Sequence, residues 1–393
     1  MSASQPGGRR WPVITGLGIV EIFAWGSSYY LLAPLSGAIV EDTGWPLPWV
    51  VGALSLGLLV AGLVSPRIGR AISEHGGRPV MAAGMALLSA GLLVLALAPN
   101  LPVFFLGWAI IGLGMAAGLY DPSFATLGRL YGSGARSAIP ALTLWGGFAS
   151  TVCWPLSAMG VEAVGWRWTA AGYAGLHLCL TLPLVLWTVP REARMAPPVR
   201  LKGRSRRLTL SPPERISFAL LATIFTLAAV IAAIVSVHLI TLLEARGVSA
   251  AAAVAVGTLI GPAQVASRVV EMASGGRHHP RWTLLFAAGL FALGLAALGS
   301  GFTLPGIALV LYGGGNGMLS IARGALPLAI FGPERYPVIM GAMAQPSLVA
   351  QALAPMVGAL AISGIGAGAT LVALGVLGLP VLAIGVAITM RRA

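Results

Sequence analysis

Twelve apolar stretches, each close to the thickness of a bilayer, divide this 393-residue chain and leave it little else to fold with. Crossing ~30 Å of hydrocarbon takes about 20 helical residues at a rise of ~1.5 Å each. The stretches run over residues 12–36, 49–68, 79–98, 101–127, 139–159 and 168–189, then 216–242, 250–270, 282–299, 304–331, 337–362 and 369–390. Only 9% of residues are charged, against roughly 25% in soluble domains, so lipid must be the solvent for most of the surface. The 53 glycines fit, because small residues let membrane helices approach closely. The expected fold is all-α: twelve transmembrane helices in two pseudo-symmetric six-helix bundles, residues 1–189 and 216–393. A basic linker, 190–215, joins them.

The net charge of +13 does not indicate a nucleic-acid partner, since the basic residues lie between apolar stretches and form no patch on a folded domain. Their positions set the orientation instead. With the N-terminus inside, Arg9, Arg10, Arg67, Arg70, Arg78, Arg129 and Arg136 are cytoplasmic, as are the eight basic residues of 190–215. Arg277, Arg281, Arg335, Arg391 and Arg392 complete the set, and only Arg167 and Arg246 fall outside. Both termini are therefore expected in the cytoplasm, with the linker near anionic lipid headgroups. The polar segment Met1 to Arg10 shows no cleavable signal pattern.

The two sets of six stretches match internally. Gly112-Leu113-Gly114-Met115 in the fourth recurs as Gly315-Asn316-Gly317-Met318 in the tenth, 203 residues on. Gly76-Gly77-Arg78 after the second recurs as Gly275-Gly276-Arg277 after the eighth, 199 residues on. A duplicated six-helix unit of this kind places a solute site near the membrane midplane between the repeats.

With its two matched halves and long basic linker, the whole chain resembles the major facilitator superfamily of secondary transporters, of bacterial type. That family carries, between its second and third helices, the pattern Gly, three residues, Asp, basic, any, Gly, any, basic. Here the stretch from Gly69 to Arg78 keeps Gly69, Gly76 and Arg78, while Ser73 stands at the Asp position and Glu74 follows it. The resemblance implies a gating loop built from Gly69, Glu74, Gly76 and Arg78. The fourth-helix Arg of many proton-coupled members is Trp108 here. The fifth helix has Gly146-Gly147 and Trp154-Pro155 in place of the run typical of drug/proton antiporters.

Three ionisable residues lie deep in the apolar stretches: Glu21, Asp121 and Arg323. A charge at mid-bilayer costs at least ~2.5–3.5 kcal/mol, so such groups face protein or a watery cavity and mark solute or proton pathways. Counted along their helices, the three sit at similar depth. At an offset of 203, Arg323 takes the place of Tyr120, beside Asp121. The resemblance implies that helices one, four, seven and ten line the cavity. Glu21 and Asp121 are then the candidates to carry protons, and Arg323 supplies positive charge for an anionic group or for Asp121. A fixed ion pair pinning the bundles is the structural alternative.

Gln264 and Arg268, four apart on helix eight, are similar in spacing to the Asp–Arg pair of the monocarboxylate (and oxalate) transporter branch, which implies an anion-binding Arg without its acid. The alternative is an Arg whose long side chain reaches toward the interface. His238 and Tyr30 lie toward the outer ends of helices seven and one. His238 is a candidate for the solute or proton pathway, with a hydrogen-bonded packing role as its alternative, and His177 reads as a packing residue, while Trp25, Tyr29 and Tyr30 offer an aromatic face to a small organic solute or to a neighbouring helix. Cys153 and Cys179 are packing residues, and His278 and His279 lack partners at metal spacing.

The expected function is thus a multi-pass transporter of the cytoplasmic (inner) membrane, moving a small organic solute, anionic by preference, with protons as coupling ion. It is expected as a monomer in lipid, with no cofactor, no metal and no nucleic-acid partner. The rival reading is a multidrug or metabolite efflux antiporter. A membrane enzyme would need a cluster of catalytic groups, and a channel a ring of like charges; neither pattern is present in the sequence.

Overall fold

The computed structural model describes residues 10–191, 210–274 and 277–391. Most of the 190–215 linker and the repeat glycines Gly275 and Gly276 lie outside the described residues. The chain divides into two compact units, Met1–Arg204 and Ser205–Ala393. Among the described residues both are wholly helical. By length and composition alone, eight stretches are long and apolar enough to cross a membrane, the longest being Leu101–Thr188.

In the N-terminal unit the first span is α1 (Arg10–Gly26) with α2 (Leu32–Thr43); the second is α3 (Leu47–His75) and the third α4 (Gly77–Ala96). The fourth is α5 (Leu101–Gly118) with α6 (Tyr120–Tyr131). A 3-10 turn, Gly132–Ser137, leads to α7 (Ala138–Gly147) and α8 (Ala149–Leu176). Gly165, at φ 79°, turns α8 from the fifth span into the sixth. A π-turn, His177–Thr181, and α9 (Leu182–Thr188) complete that span. The 88-residue apolar run thus folds as three crossings.

The C-terminal unit has α10 (Pro212–Glu244) as its seventh span and α11 (Ala250–Gly257) with α12 (Ile260–Ala273) as its eighth. Spans nine to twelve are α13 (Pro280–Ser300), α14 (Pro305–Phe331), α15 (Tyr336–Ile365) and α16 (Ala367–Met390). The twelve expected spans are present. Several that read as continuous in the sequence are broken.

Glycine sets the helix spacing in both units, and its contacts fix the register of the repeat. A methyl added at Gly112 would strike the Gly57 backbone of α3, and one at Gly114 would strike Leu88 of α4. A methyl at Gly91 of α4 would meet Ile111. In the C-terminal unit the same three clashes are Gly313 on Ile260, Gly315 on Phe291, and Gly294 on Tyr312. Spans two and three therefore map onto eight and nine at an offset of 203, while span four maps onto ten at 201. The match of Gly112–Met115 to Gly315–Met318 is thus out of register by two. In a Gly-x-Gly run a slip of two residues still aligns glycine with glycine, and only the packing distinguishes the two. Arg323 consequently takes the place of Pro122, not of Tyr120.

The two arginines outside the basic set have a structural use. The last carbonyls of a helix lack partners and favour a cation. Arg167 donates to the carbonyls of Ala96 and Ala98 at 3.0 and 2.9 Å, lies 3.4 Å from Asp42, and stacks 4.4 Å over the Trp166 ring. Trp166 Nε1 donates to the same Asp42 oxygen at 3.0 Å. Arg246 similarly donates to the Gly299 carbonyl at the end of α13. Charge-assisted hydrogen bonds contribute ~1.5–3 kcal/mol each, so Arg167→Gln is expected to lower stability by about 2 kcal/mol, read by thermal melting in detergent. Arg335→Gln should cost much less, because its 2.5 Å pair with Glu214 is exposed and screened by solvent. Equal losses in the two variants would refute this assignment.

Candidate functional site in the N-terminal unit

Proline creates the breaks that build the site. Pro122 has no N–H for the Gly118 carbonyl four residues back, and the chain parts there, with Leu119 extended at φ −92° and ψ −163°. Pro34 likewise cannot serve the Tyr30 carbonyl. Residues 27–31 leave the helix through irregular bonds, such as Tyr30 N–H to the Trp25 carbonyl at 3.0 Å. The fifth span is interrupted at Phe148, between α7 and α8. Interrupted spans expose backbone groups where a solute could use them, and such breaks are tolerated only inside protein or along a cavity.

Glu21 is fully buried on α1. Its Oε1 accepts from Ser123 Oγ of α6 at 2.5 Å, while Oε2 has no hydrogen-bond partner. Trp25, one turn further on the same face, carries an Nε1 that is also buried without a partner. The indole N–H lies beside the Glu21 carboxyl. Around Trp25 stand Tyr29 at 5.6 Å, Tyr30 at 6.2 Å and Tyr120 at 5.2 Å between ring centroids. Tyr30 meets Trp154 of the fifth span at 6.4 Å. Tyr120 donates to the Thr143 carbonyl at 3.1 Å, in space that Gly146 leaves open. Asp121 lies in the first turn of α6, two residues from Ser123 and half-buried, where the helix dipole favours an anion.

His177 is a hydrogen-bonded packing residue, fully buried. Its Nε2 lies 2.7 Å from Ser27 Oγ, at the break in the first span, and its Nδ1 lies 2.8 Å from Thr181 Oγ1. The π-turn that begins at His177 thereby ties the sixth span to the first, and such turns recur at functional sites. Removing the ring should loosen that join: His177→Leu is expected to lower the melting temperature, with His177→Asn restoring part of it. Ser27, Ser123 and Tyr120 were not singled out in the sequence. Their signal was the proline three residues into each second half, Pro34 and Pro122.

The other expected residues are elsewhere. His238 donates through Nε2 to the Pro355 carbonyl of α15 at 2.9 Å, and Gly358 makes room for its ring, a packing arrangement. Arg268 of α12 is only 6% exposed, so protein encloses it. Gln264 is half-buried on the same helix, where its backbone abuts Gly317 of α14. Arg323 is half-buried on α14. In the gating-loop motif Gly76 takes φ 85°, a conformation that favours glycine, and Gly69 is buried. Arg129 of α6 donates to the Ser73 carbonyl at 2.5 Å, so the position of the expected Asp is held through its backbone. Glu74 and Arg78 flank that turn, both half-buried.

Two six-helix units with interrupted apolar spans are those of a multi-pass membrane protein. Residues 17–276 match the pattern described as the Major Facilitator Superfamily. The chain belongs to that family and is a transporter of small solutes. Over 195 residues it is 33% identical to human monocarboxylate transporter 11, an alignment covering 46% of this chain. The match takes in 39% of that relative's length. Among solved structures, the human organic anion transporter MFSD10 (TETRAN) superposes with a TM-score of 0.77 at 18% identity, covering 97% of this chain and all of the other. The proton:xylose symporter XylE gives a TM-score of 0.71 at 11% identity, covering 96% and 95%. The E. coli fucose:proton symporter FucP gives 0.70 at 12%, covering 97% and 98%.

Proposed function

We propose that this chain couples proton movement to the transport of a small organic anion, by alternating access, in a cytoplasmic membrane with both termini inside. The observation that carries the reading is Glu21, a fully buried carboxyl held by Ser123 where two spans are interrupted. An ionisable group buried inside a membrane span marks a solute or proton pathway. The positive charges in the C-terminal unit, buried Arg268 and half-buried Arg323, support an anionic solute. So does the 33% identity to a protein named as a monocarboxylate transporter. The test is uptake of labelled monocarboxylates, aliphatic and aromatic, into proteoliposomes under an imposed pH gradient. Gradient-driven uptake is expected, and Arg268→Gln should lower it at least tenfold. Uptake that ignores the gradient would overturn proton coupling.

A second reading is export of lipophilic cations in exchange for protons. The aromatic cluster beside Glu21 favours it, because ring faces and a carboxylate both attract organic cations. Efflux of a fluorescent cation from the same vesicles separates the two.

A further inference from the structure

Aromatic residues make up 7% of this chain, yet five of them, with buried Phe124 stacked on one face of Tyr120 at 5.3 Å, form one connected group where three spans are interrupted. Trp25, Tyr29 and Tyr30 come from the break in the first span, Tyr120 from the break in the fourth, and Trp154 from the fifth. Three of the seven tyrosines in the sequence are here. Leucine or valine would pack helices in lipid as well, without hydroxyls and ring N–H groups that require partners. The cluster is not a closed core either: Trp25, Tyr29, Tyr30 and Tyr120 are all half-buried. Beneath it, Glu21 Oε2 and Trp25 Nε1 are buried without partners. Native structures rarely leave such groups unsatisfied. The indole N–H lies beside the Glu21 carboxyl, and the ring itself is held by its aromatic neighbours, contacts that a ligand ring can replace or extend.

We propose that the solute carries a flat, π-bonded ring, and that Trp25 and Tyr120 select for it by stacking. The inference rests on these residues forming part of the solute pathway and holds for either sign of solute charge. Flat rings stack or meet edge to face at centroid distances of ~4.5–7 Å, the range in which these residues already meet one another. A puckered saturated ring of the same size cannot match that contact.

The test uses the full purified chain and two matched ligand pairs, read by calorimetry or thermal shift: benzoate against cyclohexanecarboxylate, and benzylamine against cyclohexylmethylamine. In whichever pair binds, the flat member should bind at least ~10-fold tighter. Trp25→Leu or Tyr120→Leu should reduce that ratio below about twofold, while Trp25→Phe and Tyr120→Phe, which keep a ring and guard against simple misfolding, should preserve it. Binding by the amines alone would overturn the anionic reading while supporting ring selection. Equal affinity for flat and saturated rings, a ratio unchanged in Trp25→Leu, or no binding by either pair would overturn the inference.

Discussion

Glu21→Gln is expected to abolish gradient-driven transport, with uptake under a pH gradient falling at least ~100-fold while the protein folds and melts as before. The substitution is nearly isosteric, and the amide oxygen still accepts from Ser123 Oγ, now 2.5 Å from Glu21 Oε1. What it removes is the proton site, so the loss appears in coupling and not in packing. A hundredfold change corresponds to about 2.7 kcal/mol, within reach of one buried ionisable group. Ser123→Ala should fall between, near tenfold, because it strips one hydrogen bond from the carboxyl and leaves the proton site. Asp121→Asn should cost less than Glu21→Gln, since Asp121 is half-buried and the Glu21 carboxyl is fully so. Solute exchange across vesicles without a gradient should survive in Glu21→Gln, which separates lost coupling from lost binding. Gradient-driven uptake within twofold of the parent chain would remove Glu21 from the mechanism.

The fold was legible because hydrocarbon imposes a length on every crossing, and twelve apolar stretches state it directly. Part of the candidate site was legible for the same reason. Glu21 is conspicuous in an apolar helix, and it is buried by protein. Ser123 was not, because serine hydroxyls commonly bond their own helix, as Ser65 does to the Ala61 carbonyl here. Only the fold shows that Ser123 reaches across to α1. His177 read correctly as a packing residue, but its partner, Ser27, lies 150 positions away and was not legible. The register of the repeat escaped for a different reason. Glycines at alternate positions match one another after a shift of two, so identity alone cannot separate an offset of 203 from one of 201.

That register makes the last prediction. Gly315→Ala should destabilise the C-terminal unit severely, by ~3 kcal/mol or more, and Gly315→Val should prevent folding. A Cβ at Gly315 would sit 2.7 Å from the Ala287 carbonyl oxygen and from Phe291 Cα, closer still to the Phe291 nitrogen. These are backbone atoms of α13, so no side-chain rotation relieves the clash, and the two helices must separate. Overpacking ordinarily costs 1–3 kcal/mol when side chains can yield, and in lipid close approach of backbones is itself a main source of helix association. Gly289→Ala on α13 is the control: nothing lies within 4 Å of the added methyl, so its melting temperature should match or slightly exceed that of the parent chain. Gly114→Ala in the N-terminal unit should behave as Gly315→Ala does, because a Cβ there lies 2.8 Å from the Leu88 backbone nitrogen. Melting of Gly315→Ala alongside the Gly289→Ala control would mean that α13 and α14 do not pack through this glycine, and the 201-residue register would fall with it.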